Sequence, residues 1–143
     1  MTVTKEEIEK RFKEYNHLYF NDTLPTPFFS TCSNMHFVGM FTYNRINSDG
    51  MPYKPRITIA KDIEWEEDEL RGIILHEMIH YYTFTIKHKD IGHVGLFSKT
   101  RKRIQKEYNI NIPLTGLFLT RKGERKPSTR MGFLVMIIKH FIG

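Results

Sequence analysis

The sequence predicts an α+β fold: a small, mostly antiparallel sheet packed against an N-terminal helix, a long central helix and a following helix. Three observations support this prediction. First, apolar residues recur at helical spacing in three segments. Second, short segments rich in β-branched and aromatic residues lie between the first two of them. Third, a chain of 143 residues with 40% apolar content is long enough to form one hydrophobic core. We expect a single domain over residues 1–143, with a core at about 5–112 and a basic and apolar C-terminal extension at 113–143.

The N-terminal segment carries the signals of a helix start. Thr4 and Glu7 match the S/T-x-x-E capping box, in which the two side chains satisfy backbone donors that the first turn leaves open. Apolar residues then recur every three or four positions, at Ile8, Phe12, Tyr15 and Tyr19. This pattern predicts an amphipathic helix from residue 5 to about 19, which the prolines of "NDTLPTP" end.

Three short segments have the composition of strands, namely 28–33, 38–43 and 56–60. The stretch "NRINSDGMPYKP" separates the last two and carries the Asp-Gly and Pro signals of turns. The links between consecutive strands are too short for helical crossovers. They therefore predict a sheet of about three strands with antiparallel pairing.

The stretch "KDIEWEEDELRGIILHEMIHYYTFTI" predicts one long helix, capped by Asp62 or an early glutamate, with its acidic residues at the positive end of the helix dipole. Its later half is apolar nearly all round and should be buried centrally. After "KHKDIGH", residues 94–108 predict a further helix with Phe97, Ile104 and Tyr108 facing inward. In the extension, "TGLFLT" is a candidate strand, "RKGERKPSTR" a polar turn or loop, and the last apolar stretch either a strand or a helix.

Charge is distributed unevenly along the chain. Residues 1–98 contain 11 Lys and Arg against 14 Asp and Glu, whereas residues 99–143 contain 11 against 2. A basic region of this kind attracts DNA or acidic proteins, although a solvated, solubilising surface has the same composition. Under the first interpretation the nucleic-acid contacts are Lys99, Arg101, Lys102, Arg103, Lys106, Arg121 and Lys122.

Composition also bears on the compartment. The single cysteine, Cys32, allows neither a disulfide within the chain nor a cysteine-pair zinc ribbon. The N-terminal "MTVTKEEIEKRF" is charged where an export signal needs an apolar centre. The longest apolar run, 133–138, is far shorter than the roughly 20 residues that span a bilayer. We expect a cytoplasmic monomer that does not contact membranes.

Two histidines and a glutamate interrupt the apolar part of the central helix. In "LHEMIH", His76, Glu77 and His80 form an H-E-x-x-H motif. Positions i and i+4 share one helix face, so the two imidazoles can bind one zinc ion, and Glu77 has the position of the general base in zinc-dependent peptide hydrolysis. Alternatively all three hydrogen-bond to the sheet and bind nothing. A metal is the preferred interpretation, because a buried polar group without a partner costs about 1–3 kcal/mol.

A catalytic zinc usually has three protein ligands and a water, so a third ligand is expected. The longer motif H-E-x-x-H-x-x-G-x-x-H is absent, because Thr83 and Ile86 occupy its glycine and last histidine positions. His88 would lie about 12 Å further along the axis if the helix continued. His93 follows Gly92, which permits the backbone reversal that returns the chain to the site. His93 is therefore the preferred third ligand and His88 the second choice.

The remaining histidines, His17, His36 and His140, are predicted to be ordinary surface or core residues. Tyr43 or Tyr53 could stabilise an oxyanion, and the sequence does not select between them.

Several of these stretches together resemble a known family. "YFNDTLP" after the first helix, "RITIAKDI" before the central helix, "LHEMIHYY" and "GHVGLF" are similar to motifs of the SprT-like, Spartan-related zinc metallopeptidases, over residues 8 to about 112. The resemblance implies a zincin-like fold in which Zn²⁺ is bound by His76, His80 and His93, with Glu77 as the catalytic residue. It also implies that Phe97 packs the following helix; Val94 departs from the glycine that usually follows the third histidine.

The resemblance implies a zinc-dependent endopeptidase that acts on a protein or peptide substrate. Spartan-like members cleave proteins crosslinked to DNA and recruit DNA through accessory modules, which this sequence lacks, so a DNA-linked substrate is implied less firmly than the peptidase. Two alternatives stay open. One is a nucleic-acid-associated binding protein with a structural or vestigial metal site, and the other is a catalytically weak domain that scaffolds a partner.

Overall fold

A computed structural model describes residues 2–33 and 37–114 and, for the backbone alone, residues 120–121 and 124–125. Its helices are α1 Lys5–Phe20, α2 Glu67–Lys87 and α3 Leu96–Tyr108. Its strands are β1 Phe28–Cys32, β2 Gly39–Thr42, β3 Arg45–Ile46, β4 Pro52–Tyr53, β5 Arg56–Ala60, β6 Thr120–Arg121 and β7 Glu124–Arg125. The α+β class, the three helices and the three main strands are thereby confirmed.

The main sheet has the strand order β1–β5–β2, with β5 in the centre. β2 pairs antiparallel with β5, and so do β3 with β4 and β6 with β7, which confirms a mostly antiparallel arrangement. The exception is the parallel pair of β1 and β5, in which Phe29 lies opposite Ile57. The sequence does not reveal this pair, because the lengths of the links between consecutive strands say nothing about how β1 and β5 pair. Residues 33–55, which connect β1 to β5, are long enough to allow it.

Helix α1 begins at the predicted cap. The Thr4 hydroxyl accepts a hydrogen bond from the Glu7 N–H at 3.2 Å, and the helix ends at Asn21 in a left-handed conformation. Its apolar face is buried as predicted, and the Phe12 ring meets the Phe29 ring of β1 edge-on at 5.4 Å. This contact packs α1 against the sheet.

Helix α2 is the central element. Glu66 and Glu69 form its capping box, which confirms an early glutamate as the cap. The helix contacts β2 and β5, α1, and α3, so little of its middle reaches solvent. Its apolar residues from Leu70 to Phe84 form much of the core, together with Ile57 and Ile59 of β5. Polar residues in this part of α2 are therefore enclosed by protein.

Helix α3 buries Phe97 and Ile104, as predicted. Tyr108 is 43% exposed instead of facing inward, because it is the last residue of α3 and packs on the last turn of α1 rather than in the core. Its ring meets that of Tyr19 at 4.7 Å, and its hydroxyl donates to the Leu18 carbonyl at 3.1 Å.

In the described part of the chain no helix has the length and apolar character to cross a membrane. Apart from β6 and β7, the predictions for residues 115–143 lie outside the described residues.

Candidate metal centre

Helix α2 places His76 and His80 on one face, one turn apart. Their exposed fractions are 0% and 4%, and their ring centroids are 5.0 Å apart. This is the spacing that positions i and i+4 of a helix require. Both rings are thus fixed by a regular and well-packed backbone.

The segment between α2 and α3 brings His93 to the same place. His88 caps the C-terminal end of α2 and has a left-handed backbone with φ 59°. The Asp90 carboxylate then accepts from the Gly92 N–H at 2.8 Å, which forms an Asx turn, and Gly92 has φ 66°. The reversal expected at Gly92 is present, and it returns His93 to the face of α2.

A second tight turn follows His93 directly. The Phe97 N–H donates to the Val94 carbonyl at 3.3 Å, and Gly95 between them has φ 59° and ψ −123°. These are the angles of the second residue in a type II′ turn, which favours glycine. Helix α3 therefore starts within three residues of His93, and its first turn faces the histidines.

The three histidines converge through the same ring nitrogen. The Nε2 atom of His93 lies 3.1 Å from Nε2 of His80 and 3.1 Å from Nε2 of His76. Three nitrogens bound tetrahedrally to zinc at about 2.0–2.1 Å would lie about 3.3 Å from one another. The two distances to His93 are close to this value and the three ligand atoms all lie within 4.8 Å of one another, so the cluster could hold a metal ion.

The orientation of His76 is set from outside the cluster. Its Nδ1 atom lies 2.8 Å from the carbonyl oxygen of Pro113. Because a carbonyl only accepts hydrogen bonds, Nδ1 carries a proton, and the neutral imidazole then presents the Nε2 lone pair to the cluster. Histidines that bind metals usually have such a partner on the other nitrogen.

Phe97 covers the cluster from the side of α3. Its ring centroid lies 5.2, 4.6 and 4.9 Å from those of His76, His80 and His93, and the side chain is fully buried. A ring in this position leaves the three imidazoles little room to change rotamer. It also makes one wall of the centre apolar.

Glu77, on α2, is fully buried where this helix packs against β2. A Cβ atom added to Gly39 of β2 would lie 3.0 Å from the Glu77 Oε2 atom and 2.7 Å from Cγ2 of Ile73. The strand therefore passes the carboxylate at a distance that leaves no space for a side chain. We did not predict this role for Gly39, although an isolated glycine in a strand pattern indicates a close backbone approach.

The other histidines lie elsewhere. His88, the second choice for the third ligand, has its Nδ1 atom 2.8 Å from the Gly50 carbonyl oxygen and is outside the cluster. His17 is an exposed residue whose Nδ1 lies 2.9 Å from a carboxylate oxygen of Asp22. His36 and His140 lie outside the described residues.

The structure separates the two tyrosines that the sequence left equivalent. Tyr43 packs on Phe84, one turn beyond His80 on α2, with ring centroids 4.6 Å apart. Burial and the negative charge of Asp90 raise its pKa, so the hydroxyl keeps its proton at neutral pH. Tyr53 belongs to the β3–β4 pair and lies under the Arg45 guanidinium at 3.9 Å. Tyr43 thus lies beside α2, one helical turn from His80, where the charge of Asp90 acts on it.

The five predicted nucleic-acid contacts on α3 divide into two groups. Four cations are exposed at positions i, i+3, i+4 and i+7 of α3, which share one helix face: Lys99, Lys102, Arg103 and Lys106. We call this set the cationic stripe. Arg101 is half-buried instead, its Nε donates to the Ile112 carbonyl, and burial lowers its pKa. The Arg121 side chain and Lys122 lie outside the described residues.

Fold and cluster together define a class of protein, an α+β domain whose H-E-x-x-H helix and following loop build a metallopeptidase-like site. The sequence model of the SprT-like family matches residues 8–116, so the chain belongs to the SprT-like family. The resemblance drawn from the sequence motifs is therefore confirmed. A search of curated proteins gave no match.

Proposed function

We propose that this protein is a zinc-dependent metalloendopeptidase of the SprT-like type. The observation that supports it most directly is the convergence of three Nε2 atoms, from His76, His80 and His93, next to the buried Glu77. Membership of the SprT-like family favours the same chemistry. Zinc, when bound there, would lower the pKa of a water molecule and polarise the carbonyl of the scissile peptide bond.

Glu77 is the proposed general base. Its carboxylate would take a proton from the attacking water and return it to the leaving amine. Its position supports this role, because it is adjacent to His76 and enclosed between α2 and β2. Tyr43, protonated at neutral pH, is the proposed donor to the oxyanion.

The proposed substrate is a protein or peptide in extended conformation. β2 is an edge strand of the β1–β5–β2 sheet, and within the described residues it pairs with a strand on one side only. A peptide that added to this edge would gain main-chain hydrogen bonds. Gly39 lies on the same strand against Glu77, so the peptide would run past the proposed base.

The substitution Glu77→Gln tests the proposal. An amide of the same shape cannot take the proton, so cleavage of casein or a fluorogenic peptide should fall by about 10²–10⁴-fold while zinc content is unchanged. Glu67→Gln, an exposed acid-to-amide change ten positions earlier on α2, is the matched control and should cleave normally. Wild-type cleavage should stop on chelation and return with zinc. Full activity of Glu77→Gln would exclude Glu77 as the base.

A second candidate function, association with DNA, is favoured by the cationic stripe alone. Four cations on one face of α3 could contact successive phosphates. Replacing Lys99, Lys102 and Lys106 by Gln should weaken binding to duplex DNA and reduce the salt dependence by about 0.9 per lost phosphate contact. If the wild-type protein has no affinity for DNA at about 50 mM salt, the stripe is an ordinary solvated face.

A further inference from the structure

The irregular segment after α3 crosses α2 beside the candidate metal centre. A Cβ atom added to Gly72 would lie 2.8 Å from Cδ of Pro113 and 3.0 Å from the carbonyl oxygen of Asn111. The segment thus lies directly on the backbone of α2. Gly72 precedes His76 by four residues, so the segment and the first histidine occupy the same face of the helix.

The Pro113 carbonyl links this segment to the cluster, since its oxygen lies 2.8 Å from Nδ1 of His76. Residues 110–113 belong to no helix or strand, and proline has no N–H of its own. No ladder of backbone hydrogen bonds therefore holds this carbonyl in place. Its direction must be fixed by contacts of the neighbouring residues.

Two side chains of α3 supply those contacts. The Nε atom of Arg101 donates to the carbonyl of Ile112, and Oε1 of Gln105 accepts from the N–H of Ile112 at 2.8 Å. Arg101 and Gln105 are one helical turn apart and so share a face of α3. They bind both backbone polar groups of Ile112, whose own side chain is fully buried. The residue before Pro113 is held at three points.

We propose that Arg101 and Gln105 are positioning residues for the metal centre, an inference that rests on the proposed function. They fix the main chain of Ile112, and this directs the Pro113 carbonyl toward Nδ1 of His76. The carbonyl in turn keeps the proton of His76 on Nδ1 and its Nε2 lone pair in the cluster. Neither side chain touches substrate or metal in this role.

Substitutions that keep length but remove the hydrogen bonds test the inference in the full chain. Arg101→Met and Gln105→Met should each lower the affinity for zinc by about 10- to 100-fold, as loss of a histidine's outer partner usually does. Competition with a chromophoric chelator measures this affinity. Gln105→Glu retains an oxygen that accepts from Ile112 and should bind zinc nearly as wild type does. Lys10→Met, at an exposed cation of α1 outside both the cluster and the cationic stripe, is the control.

A second measurement needs neither activity nor metal. Long-range ¹H–¹⁵N spectra of the metal-free protein report which ring nitrogen of His76 carries the proton. Wild type should have it on Nδ1, and Arg101→Met and Gln105→Met should have a mixture of tautomers. A purely structural role would instead lower the unfolding temperature of the metal-free variants and leave both zinc affinity and tautomer unchanged.

The outcomes separate the two proposals. Unchanged zinc affinity in both Met variants would overturn the positioning role and leave the proposed peptidase intact. A wild-type His76 that carries its proton on Nε2 would overturn the positioning role even if the variants fail to fold. A wild-type protein that binds zinc and orders His76 as described, but cleaves no peptide, would contradict the proposed function and leave the positioning role standing.

Discussion

The candidate metal centre has two parts that the chain builds in different ways. His76 and His80 stand on α2, where the hydrogen-bonded helical turn alone sets their spacing. His93 stands on the segment between α2 and α3, whose path depends on positive φ angles at His88, Gly92 and Gly95. The positions of the α2 histidines follow from regular helical geometry, whereas the position of His93 depends on backbone angles that regular helices and strands do not have.

The two parts also differ in what supports them. α2 is packed against the sheet and both other helices, so its histidines are held whether or not a metal is bound. The loop is held by the Asp90–Gly92 hydrogen bond, the turn at Gly95 and the packing of Phe97 on the rings. We infer that α2 would determine where a metal could bind, and the loop whether a third histidine reaches it.

The largest expected effect is the loss of metal when either part is removed. His80→Ala and His93→Ala should both abolish stoichiometric zinc after dialysis, because two imidazoles are fewer than the three protein ligands of a catalytic zinc. Zinc should then no longer raise the unfolding temperature. Elemental analysis and thermal unfolding with and without chelator measure these effects.

His88→Ala is the matched control for the loop, since the His88 ring contacts Gly50 and lies outside the cluster. It should retain zinc. Zinc retained by His93→Ala would mean that the loop takes no part in the centre, and the division into two parts would be wrong.

The helical part was predictable because its signals are local. Caps, an apolar pattern and the i, i+4 spacing all lie within α2, and none depends on distant residues. The loop was partly predictable. Gly92 indicates the reversal and His93 follows it, whereas the turn at Gly95 was not predicted. The structure brings His93 to the helical pair, and its role as a ligand stays a prediction until a metal is measured.

The features that the sequence did not predict are contacts between distant segments. The parallel pairing of β1 with β5 depends on where the chain goes between them, which no local pattern records. The Pro113 carbonyl reaches His76 across 37 positions of sequence. Gly39 and Gly72 were the available signals, since an isolated glycine inside a strand or helix indicates a close neighbour. Such a signal shows that a neighbour exists and does not identify it.

The next largest effect is expected at Gly39, where β2 packs so closely on α2 that no space is left for a side chain. Gly39→Ala would place its Cβ 2.7 Å from Ile73 and 3.0 Å from Glu77, so one of them must move. Overpacking of this kind costs about 1–3 kcal/mol in the free energy of unfolding. Peptide cleavage should fall, because displacement of Glu77 moves the proposed base, while zinc content stays at the wild-type level. Normal cleavage at normal stability would show that β2 does not constrain the carboxylate.

The smallest effect is expected at Gly95, where the loop has space but a strained backbone. No heavy atom lies within 4 Å of a Cβ added there, yet φ is 59°. Gly95→Ala therefore tests the dihedral angles alone, at a cost of about 1–3 kcal/mol for a residue with a Cβ in this sparsely populated region. Because the metal-free loop can relax, the cost should be measured as weaker zinc binding, about tenfold for each 1.4 kcal/mol.

Val94→Ala is the control for this loop variant, because it shortens a side chain that is 68% exposed and leaves the dihedral angles unchanged. It should bind zinc as wild type does. The two glycine variants then distinguish the two parts of the centre. Gly39→Ala should lower peptide cleavage without changing zinc affinity, whereas Gly95→Ala should lower zinc affinity. If Gly95→Ala bound zinc as tightly as wild type, the loop would adapt freely around His93. Its positive φ angles would then contribute nothing to the completion of the site.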